Sequence, residues 1–356
     1  MKTTLREIAR QARVHQSTAS YVLNGGTGGS TRVSAETRQR VLDVARRLGY
    51  TANRAAQQLR TRRSQVIGLL VGELENPFFA RLVSLCTAEL EKAGFESVLA
   101  MRRQDEVSDL HLLKTLASRQ VDGLLIWSES VTEIREWLES VPHAPNAVIL
   151  GYRVAGCDSV EAALDDGVRV ALSHLLDQGF RRIGYLAPAS SLDRQGDPRH
   201  GIYQEVMAAA NLAPRVYGYE GAAHLPESAR LRAEEIARER PAERPDALLC
   251  HNDMTAIGAL MGLRRRGLRV PYDMALVGCD DLPLAAQMDV PLTSIAYPLE
   301  EMCRTAVTLL LERIAAEGGD QGEGIPPRCV VLPTPLAVRE SSVIAAVGTP
   351  PLPAVP

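Results

Sequence analysis

Few of the usual marks of an enzyme, a secreted protein or a membrane protein occur in this chain of 356 residues. There is no GxSxG elbow, no HExxH pair and no Walker-type phosphate loop, and the seven histidines stand at no telling distance from a carboxylate. Residues 25–29 are rich in glycine, yet they follow a helical segment where a phosphate loop follows a strand. Catalysis is therefore not expected, and neither a cofactor nor a metal is implied. The six cysteines, Cys86, Cys157, Cys250, Cys279, Cys303 and Cys329, show no CxxC and no metal-ligand spacing, which fits buried thiols in a reducing compartment. No apolar run approaches the ~20 residues that span a bilayer, and the N-terminus carries no apolar signal core. A cytoplasmic protein with no membrane partner is expected. Lysine is nearly absent too: only Lys2, Lys92 and Lys114 occur among the 40 basic residues, so arginine carries the positive charge.

That positive charge is concentrated at one end. Residues 1–65 hold 13 Lys and Arg against 3 Asp and Glu, a net +10, whereas residues 66–356 hold 27 against 40, a net −13. The overall value of −3 thus hides a basic arm on an acidic body. Such an arm supplies the sequence-independent attraction to phosphate on which DNA binding rests, and DNA repels the acidic body.

The arm also has the right pattern. Residues 3–14 place Leu5, Ile8, Ala9 and Ala12 on one face of a helix, and residues 15–24 predict a second helix after a tight turn. Ala12 and Ala19 are small where the two must cross, as a helix-turn-helix requires, so duplex DNA is the expected partner. A Gly-rich loop over 25–32 follows; it is read as an insertion, with phosphate contact through its backbone and Arg32 as the alternative. Ser34 is placed to cap a third helix with Val41, Leu42, Val44, Ala45 and Leu48 inward, which Gly49 stops. Residues 50–60 are helix-competent but have little apolar surface beyond alanines and Leu59, so they are expected to stay disordered until docked.

From Gln65 the chain alternates. Strands are predicted over 66–71, 97–101, 123–127, 147–150, 182–187, 215–219, 247–250 and 274–278, with helices at 77–93, 107–119, 132–140, 166–178, 202–210, 225–238 and 254–266. This alternation argues for parallel sheets with right-handed crossovers, an α/β body. Residues 341–356, rich in proline and small side chains, are predicted to form a disordered tail, and no leucine heptad there would build a tetramer.

Ordered motifs run from Leu5 to about Glu340: the helix-turn-helix ending Val22-Leu23-Asn24, Val33-Ser34-Ala35-Glu36-Thr37-Arg38, Asn53-Arg54-Ala55-Ala56-Gln57-Gln58-Leu59, Ile67-Gly68-Leu69-Leu70 and Asn76-Pro77-Phe78-Phe79. Val121-Asp122-Gly123-Leu124-Leu125, Asn252-Asp253-Met254-Thr255-Ala256-Ile257-Gly258, Val277-Gly278-Cys279-Asp280-Asp281 and Pro291-Leu292-Thr293-Ser294-Ile295 continue them. In these motifs the chain resembles the lac repressor family of ligand-responsive transcription regulators. The resemblance implies an all-α helix-turn-helix headpiece (1–50), a hinge helix and linker (51–64) and a two-lobed, periplasmic-binding-protein-like (type I) α/β effector body (65–340). It places the first lobe at about 65–163 and 298–324, and the second at about 164–297 and 326–340. It further implies a homodimer on palindromic operator DNA, and a small-molecule effector, such as a sugar, between the lobes.

Site residues follow from the same resemblance. Thr4, Gln16, Ser17, Thr18, Ser20, Tyr21, Asn24 and Arg32 are implied DNA contacts, with Gln16, Ser17 and Tyr21 reading base edges. Tyr21 stands where arginine is frequent, which removes a bidentate guanine donor. Asn53, Arg54, Ala56, Gln57 and Leu59 belong to the hinge, where Leu59 would wedge open the central base step in the minor groove; the plainer reading of Leu59 is a buried linker residue. Phe78, Phe79, Trp127, Glu129, Arg199, Tyr219, Asn252, Asp253 and Asp280 are implied effector contacts, with Arg194 the alternative to Arg199 and helix capping the alternative role of Asp253. The chain departs from the family pattern at Leu150-Gly151-Tyr152-Arg153, at Arg199-His200-Gly201-Ile202-Tyr203 and at Met101-Arg102-Arg103-Gln104-Asp105. A repressor is expected, with a transcriptional activator or a corepressor-dependent regulator as the alternative, and a sugar, a modified sugar, a nucleoside or other non-sugar metabolite and no natural ligand all stay open as to the effector.

Overall fold

The computed structural model describes residues 4–23, 33–50, 63–102, 108–128, 130–141, 146–192, 198–222, 224–316 and 326–344, in two units that divide between Ser64 and Gln65. In the first unit α1 (Leu5–Gln11) starts where the Thr4 hydroxyl accepts the Glu7 N–H at 3.3 Å. It ends in a turn through Arg13, whose φ is 55°, and α2 (Gln16–Leu23) follows. α3 (Ala35–Arg47) begins at Ser34, whose hydroxyl accepts the Thr37 N–H at 3.1 Å, and stops before Gly49 at φ +60°. Ile8, Ala9, Ala12, Ala19, Val22, Val41, Val44 and Ala45 form its core, with Leu42 and Leu48 packed at the edge. Ala12 and Ala19 are wholly buried, so the small side chains do lie where the helices meet. Arg40 Nε donates to the Ala12 carbonyl at 3.0 Å and ties α3 to the end of α1. Truncating Ile8 in so small a core would cost about 2–5 kcal/mol.

The second unit has two six-stranded sheets. One is built from β1 (Val66–Val71), β2 (Glu96–Met101), β3 (Gly123–Ile126), β4 (Asn146–Leu150), β5 (Asp158–Ala162) and β11 (Cys329–Leu332), in the order β11-β5-β4-β3-β1-β2. The other comprises β6 (Ile183–Pro188), β7 (Arg215–Tyr219), β8 (Ala247–Cys250), β9 (Ala275–Asp280), β10 (Thr293–Ala296) and β12 (Leu336–Ala337), in the order β12-β10-β9-β8-β6-β7. Among the described residues every pairing is parallel except β10 with β12. Central strands such as Val66-Ile67-Gly68-Leu69-Leu70-Val71 read as continuous apolar runs because helices bury both faces. α4 (Pro77–Lys92), α5 (Asp109–Ser118), α6 (Val131–Ser140) and α12 (Leu299–Ala316) cover the first sheet. α7 (Leu164–Asp177), α9 (Pro198–Ala209), α10 (Pro226–Ile236) and α11 (Asp253–Arg265) cover the second, and the short α8 (Ala189–Leu192) follows β6.

Three connections join the lobes: at Ala163, at Tyr297-Pro298 and at Pro333-Thr334-Pro335. They are hydrogen-bonded to each other or to the strands beside them, for Thr334 Oγ1 donates to the Ala163 carbonyl at 2.7 Å and the Ala296 N–H donates to the Pro335 carbonyl at 2.7 Å. Here two sequence expectations fail. Residues 326–332 were expected in the second lobe, but Cys329–Leu332 adds to the first sheet beside β5, in register Val330 with Val160. β5 itself carries too few large apolar residues to read as a strand. What fixes it is Asp158, wholly buried, whose carboxylate takes Arg313 Nε and Nη2 at 2.7 Å each and the Arg328 N–H at 2.6 Å. The expected tail also begins too early. Ser341 Oγ donates to the Leu276 carbonyl at 2.7 Å and Ser342 Oγ to Thr293 Oγ1 at 2.7 Å, so these small residues are buried pegs in a 3-10 turn. The rest of that segment, 345–356, lies outside the described residues.

Candidate nucleic-acid interface and candidate ligand cleft

In the headpiece, Gln16 and Ser17 are exposed in the first turn of α2, and Thr18, Ser20 and Tyr21 are half-buried. Thr4 is exposed, with its hydroxyl serving the α1 cap. The residue capping α2 is His15, which sequence reading had not singled out. Its carbonyl accepts the Ala19 N–H at 3.0 Å, and its Nδ1 accepts the Ser17 N–H at 3.3 Å and lies 2.8 Å from Ser17 Oγ. Asn24, Arg32, the 25–29 loop and the hinge residues Asn53, Arg54, Ala56, Gln57 and Leu59 lie outside the described residues.

In the body, the nominated aromatic residues do come together. Asn76 Oδ1 accepts the Phe78 N–H at 3.1 Å and, with Pro77 in the first turn, starts α4 so that Phe78 and Phe79 sit at the strand end. Phe78 meets Phe79 at 5.3 Å and Trp127 at 5.1 Å, and Phe79 meets Trp127 at 5.8 Å, all edge-on. Gly151 at φ +91° leaves room for the Trp127 ring, since an added Cβ would lie 3.0 Å from it.

The member missed by sequence reading is Tyr297. Its ring is 5.2 Å from Phe78 and 5.9 Å from Trp127, and it stands on the second interlobe connection. Burial raises its phenol far above the ordinary range; Cys279 and Asp280 add to that rise and Arg199 opposes it. Asp280 ends β9 at φ 116° and is followed by Asp281 at φ 50°. Two adjacent non-glycine residues in that region store about 1–3 kcal/mol each, a cost typical of functional sites. Burial holds the Asp280 carboxyl well above its usual range, the charge of Asp253 adds to this, and Arg199 opposes it. Arg199, on α9, donates through Nη1 to the His251 carbonyl at 2.7 Å. His251 Nδ1 in turn lies 3.4 Å from the Tyr185 hydroxyl, and the His200 ring stacks on Tyr185 at 5.8 Å.

Three nominations are revised. Asp253 is wholly buried, with Oδ1 accepting from the Ser294 hydroxyl at 2.6 Å and Oδ2 from the Leu282 N–H at 2.7 Å, so it braces the β9–β10 region and presents no oxygen to a ligand. Burial lifts its carboxyl to about 7. Tyr219 is buried in the core of the second lobe, its hydroxyl 2.8 Å from Thr255 Oγ1. Asn252 Oδ1 accepts the Thr255 N–H at 2.9 Å as the α11 cap, so its side-chain oxygen is committed to the helix end. Glu129 and Arg194 lie outside the described residues. At the rim, His224 Nε2 of the second lobe lies 3.5 Å from Glu73 Oε2 of the first. No sequence signal marks that pair or Tyr297, because each partner comes from a separate stretch of chain.

Comparison with known proteins agrees with this fold. Residues 4–53 match the model of bacterial regulatory proteins of the lacI family, and residues 172–342 match a periplasmic binding protein-like domain. The ribose operon repressor of Haemophilus influenzae is 30% identical over 312 residues, covering 87% of this chain and 92% of that protein. A lac repressor dimer solved with operator and an anti-inducer is alike in fold, with a TM-score of 0.79 at 24% identity, over 97% of this chain and 100% of that one. A complex of the transcriptional regulator CelR with cellobiose is 30% identical with a TM-score of 0.63, over 96% and 100%. No described helix is long and apolar enough to cross a membrane.

Proposed function

Because the chain belongs to the lacI family of bacterial regulatory proteins, which are ligand-responsive DNA-binding transcriptional regulators, we propose that it is a repressor that binds a near-palindromic operator as a homodimer. A sugar or related metabolite in the interlobe cleft sets its operator affinity. It performs no catalysis and works in the cytoplasm.

One observation carries the effector reading: Phe78 and Trp127 of the first lobe pack on Tyr297, Phe79 packs on both of them, and the charges of Asp280 and Arg199 of the second lobe act on the Tyr297 phenol. Aromatic faces suit the apolar faces of a sugar ring, and a carboxyl group and a guanidinium suit its hydroxyls. The sugar-bound relative supports this choice. A ligand that touches both lobes favours one lobe arrangement over the other, and that differential contact supplies the coupling. Residues 1–50 form the headpiece and 51–64 the hinge. Gln16, Ser17 and Tyr21 read base edges, Thr4, Thr18, Ser20, Asn24 and Arg32 flank them, and Asn53, Arg54, Ala56, Gln57 and Leu59 enter the minor groove.

Tryptophan fluorescence tests the cleft. The chain has two tryptophans, and Trp137 is wholly buried behind the first sheet. In a Trp137→Phe chain the remaining signal, from Trp127, is expected to change saturably with one member of a panel of mono- and disaccharides. A response only to nucleosides would move the ligand class, and silence throughout the panel would overturn the cleft as the effector site.

A further inference from the structure

The contact between His15 and Ser17 fixes more than a helix end. The Ser17 backbone N–H can only donate, so His15 Nδ1, its acceptor at 3.3 Å, must carry a lone pair and the ring proton must sit on Nε2. Ser17 Oγ is 2.8 Å from that same Nδ1. With no proton on Nδ1, the hydroxyl proton of Ser17 has to point at the imidazole. What Ser17 Oγ then turns outward is lone pairs alone.

We infer that His15 is a specificity-determining residue: it makes Ser17 a pure hydrogen-bond acceptor toward the major groove. This rests on the reading that α2 is the helix that enters the groove, where the N-terminal residues of such a helix meet base edges. Ser17 is exposed in the first turn, as that role requires. A free serine hydroxyl serves as donor or acceptor and discriminates poorly. A hydroxyl whose proton is already committed can accept only from an exocyclic amino group. In the major groove those groups belong to adenine (N6) and cytosine (N4), whereas thymine O4 and guanine O6 and N7 are acceptors and would face lone pairs. The base class read by Ser17 is therefore amino-bearing, and His15, which itself need touch no base, sets it.

The test is selection of duplexes from a randomised library by the full-length protein at one fixed salt concentration. The wild type is compared with Ser17→Ala, His15→Ala and His15→Asn, and circular dichroism checks that each chain is folded. In the wild-type motif, the position that Ser17→Ala flattens should favour adenine or cytosine over thymine and guanine by about fivefold, the worth of one hydrogen bond. His15→Ala should flatten the same position and leave the others. His15→Asn should keep the preference, since an asparagine oxygen can cap the same N–H and accept the same hydroxyl proton. A position dependent on Ser17 that favours guanine or thymine overturns the inference, as does an unchanged preference in folded His15→Ala. If that variant does not fold, the base favoured at the Ser17-dependent position decides alone. A motif with no position dependent on Ser17 overturns this inference and leaves the regulator reading intact, whereas a wild type that selects no motif overturns both.

Discussion

Glu73 and His224 face each other at 3.5 Å, Oε2 to Nε2, one on the loop after the first strand of the first lobe and the other on the loop after β7 in the second. Both side chains are largely shielded from water, at 22% and 12% exposure. The contact bridges two lobes that three chain connections also join. Partly shielded pairs are worth about 0.5–1 kcal/mol. Glu73→Gln and His224→Ala should each weaken effector binding by less than about fivefold, and the double variant should be no weaker than the worse single one. Effector titrations followed by Trp127 fluorescence give the cycle; fully additive losses would show that the pair does not couple the lobes.

Asp280 trades stability for binding. Burial first, and then the charge of Asp253, raise its carboxyl, so the folded chain retains a proton that the unfolded chain releases near pH 4. The associated stability is present below that point and is lost as pH rises through the folded value. Asp280→Asn removes the loss: at pH 8 the variant should be about 1 kcal/mol more stable to urea than the wild type, with little difference at pH 4. Its effector affinity should fall more than tenfold. A less stable variant at pH 8 would contradict this account.

Asp158 has the opposite sign. Burial alone would raise its carboxyl, but hydrogen bonds from Arg313 and Arg328 outweigh that and hold it below its ordinary value. Its stabilisation is full above the unfolded value near 4 and is lost as pH falls through the folded one. Asp158→Asn leaves Arg313 without its counter-ion and should cost about 3–5 kcal/mol at neutral pH. Urea midpoints of the two chains should converge as the medium is acidified below about pH 4.

Gly151→Ala tests the aromatic wall. The new Cβ would press on the Trp127 ring from 3.0 Å, at a φ of +91° that alanine resists. Shifted Trp127 emission together with weaker effector binding is expected. Unchanged emission would mean that the ring is not seated where the wall requires.

Much of this architecture is legible in the sequence, and the limits have physical causes. The Ser34 cap and the alternation of apolar strands with amphipathic helices are visible because both depend on neighbours three or four residues away. The pairing of Cys329–Leu332 with β5, the burial of Ser341 and Ser342, and the packing of Tyr297 on Phe78 and Trp127 depend on partners tens to hundreds of residues distant. Asp253 and Asp280 look alike in sequence, as carboxylates beside strand ends. Only the donors from Ser294 and Leu282 show that Asp253 is a brace. His15 went unread because capping is ordinarily the work of serine, threonine, asparagine or aspartate.

The most direct measurement is retention of genomic DNA fragments by the purified full-length chain, followed by challenge of the retained fragments with sugars, sugar phosphates and nucleosides. Recovery of a short near-palindrome, with its retention altered by one compound in the wild type but not in Asp280→Asn, is the expected result. Retention without sequence preference, or a palindrome whose retention no compound alters, would contradict the claim that a metabolite in this cleft controls binding to an operator.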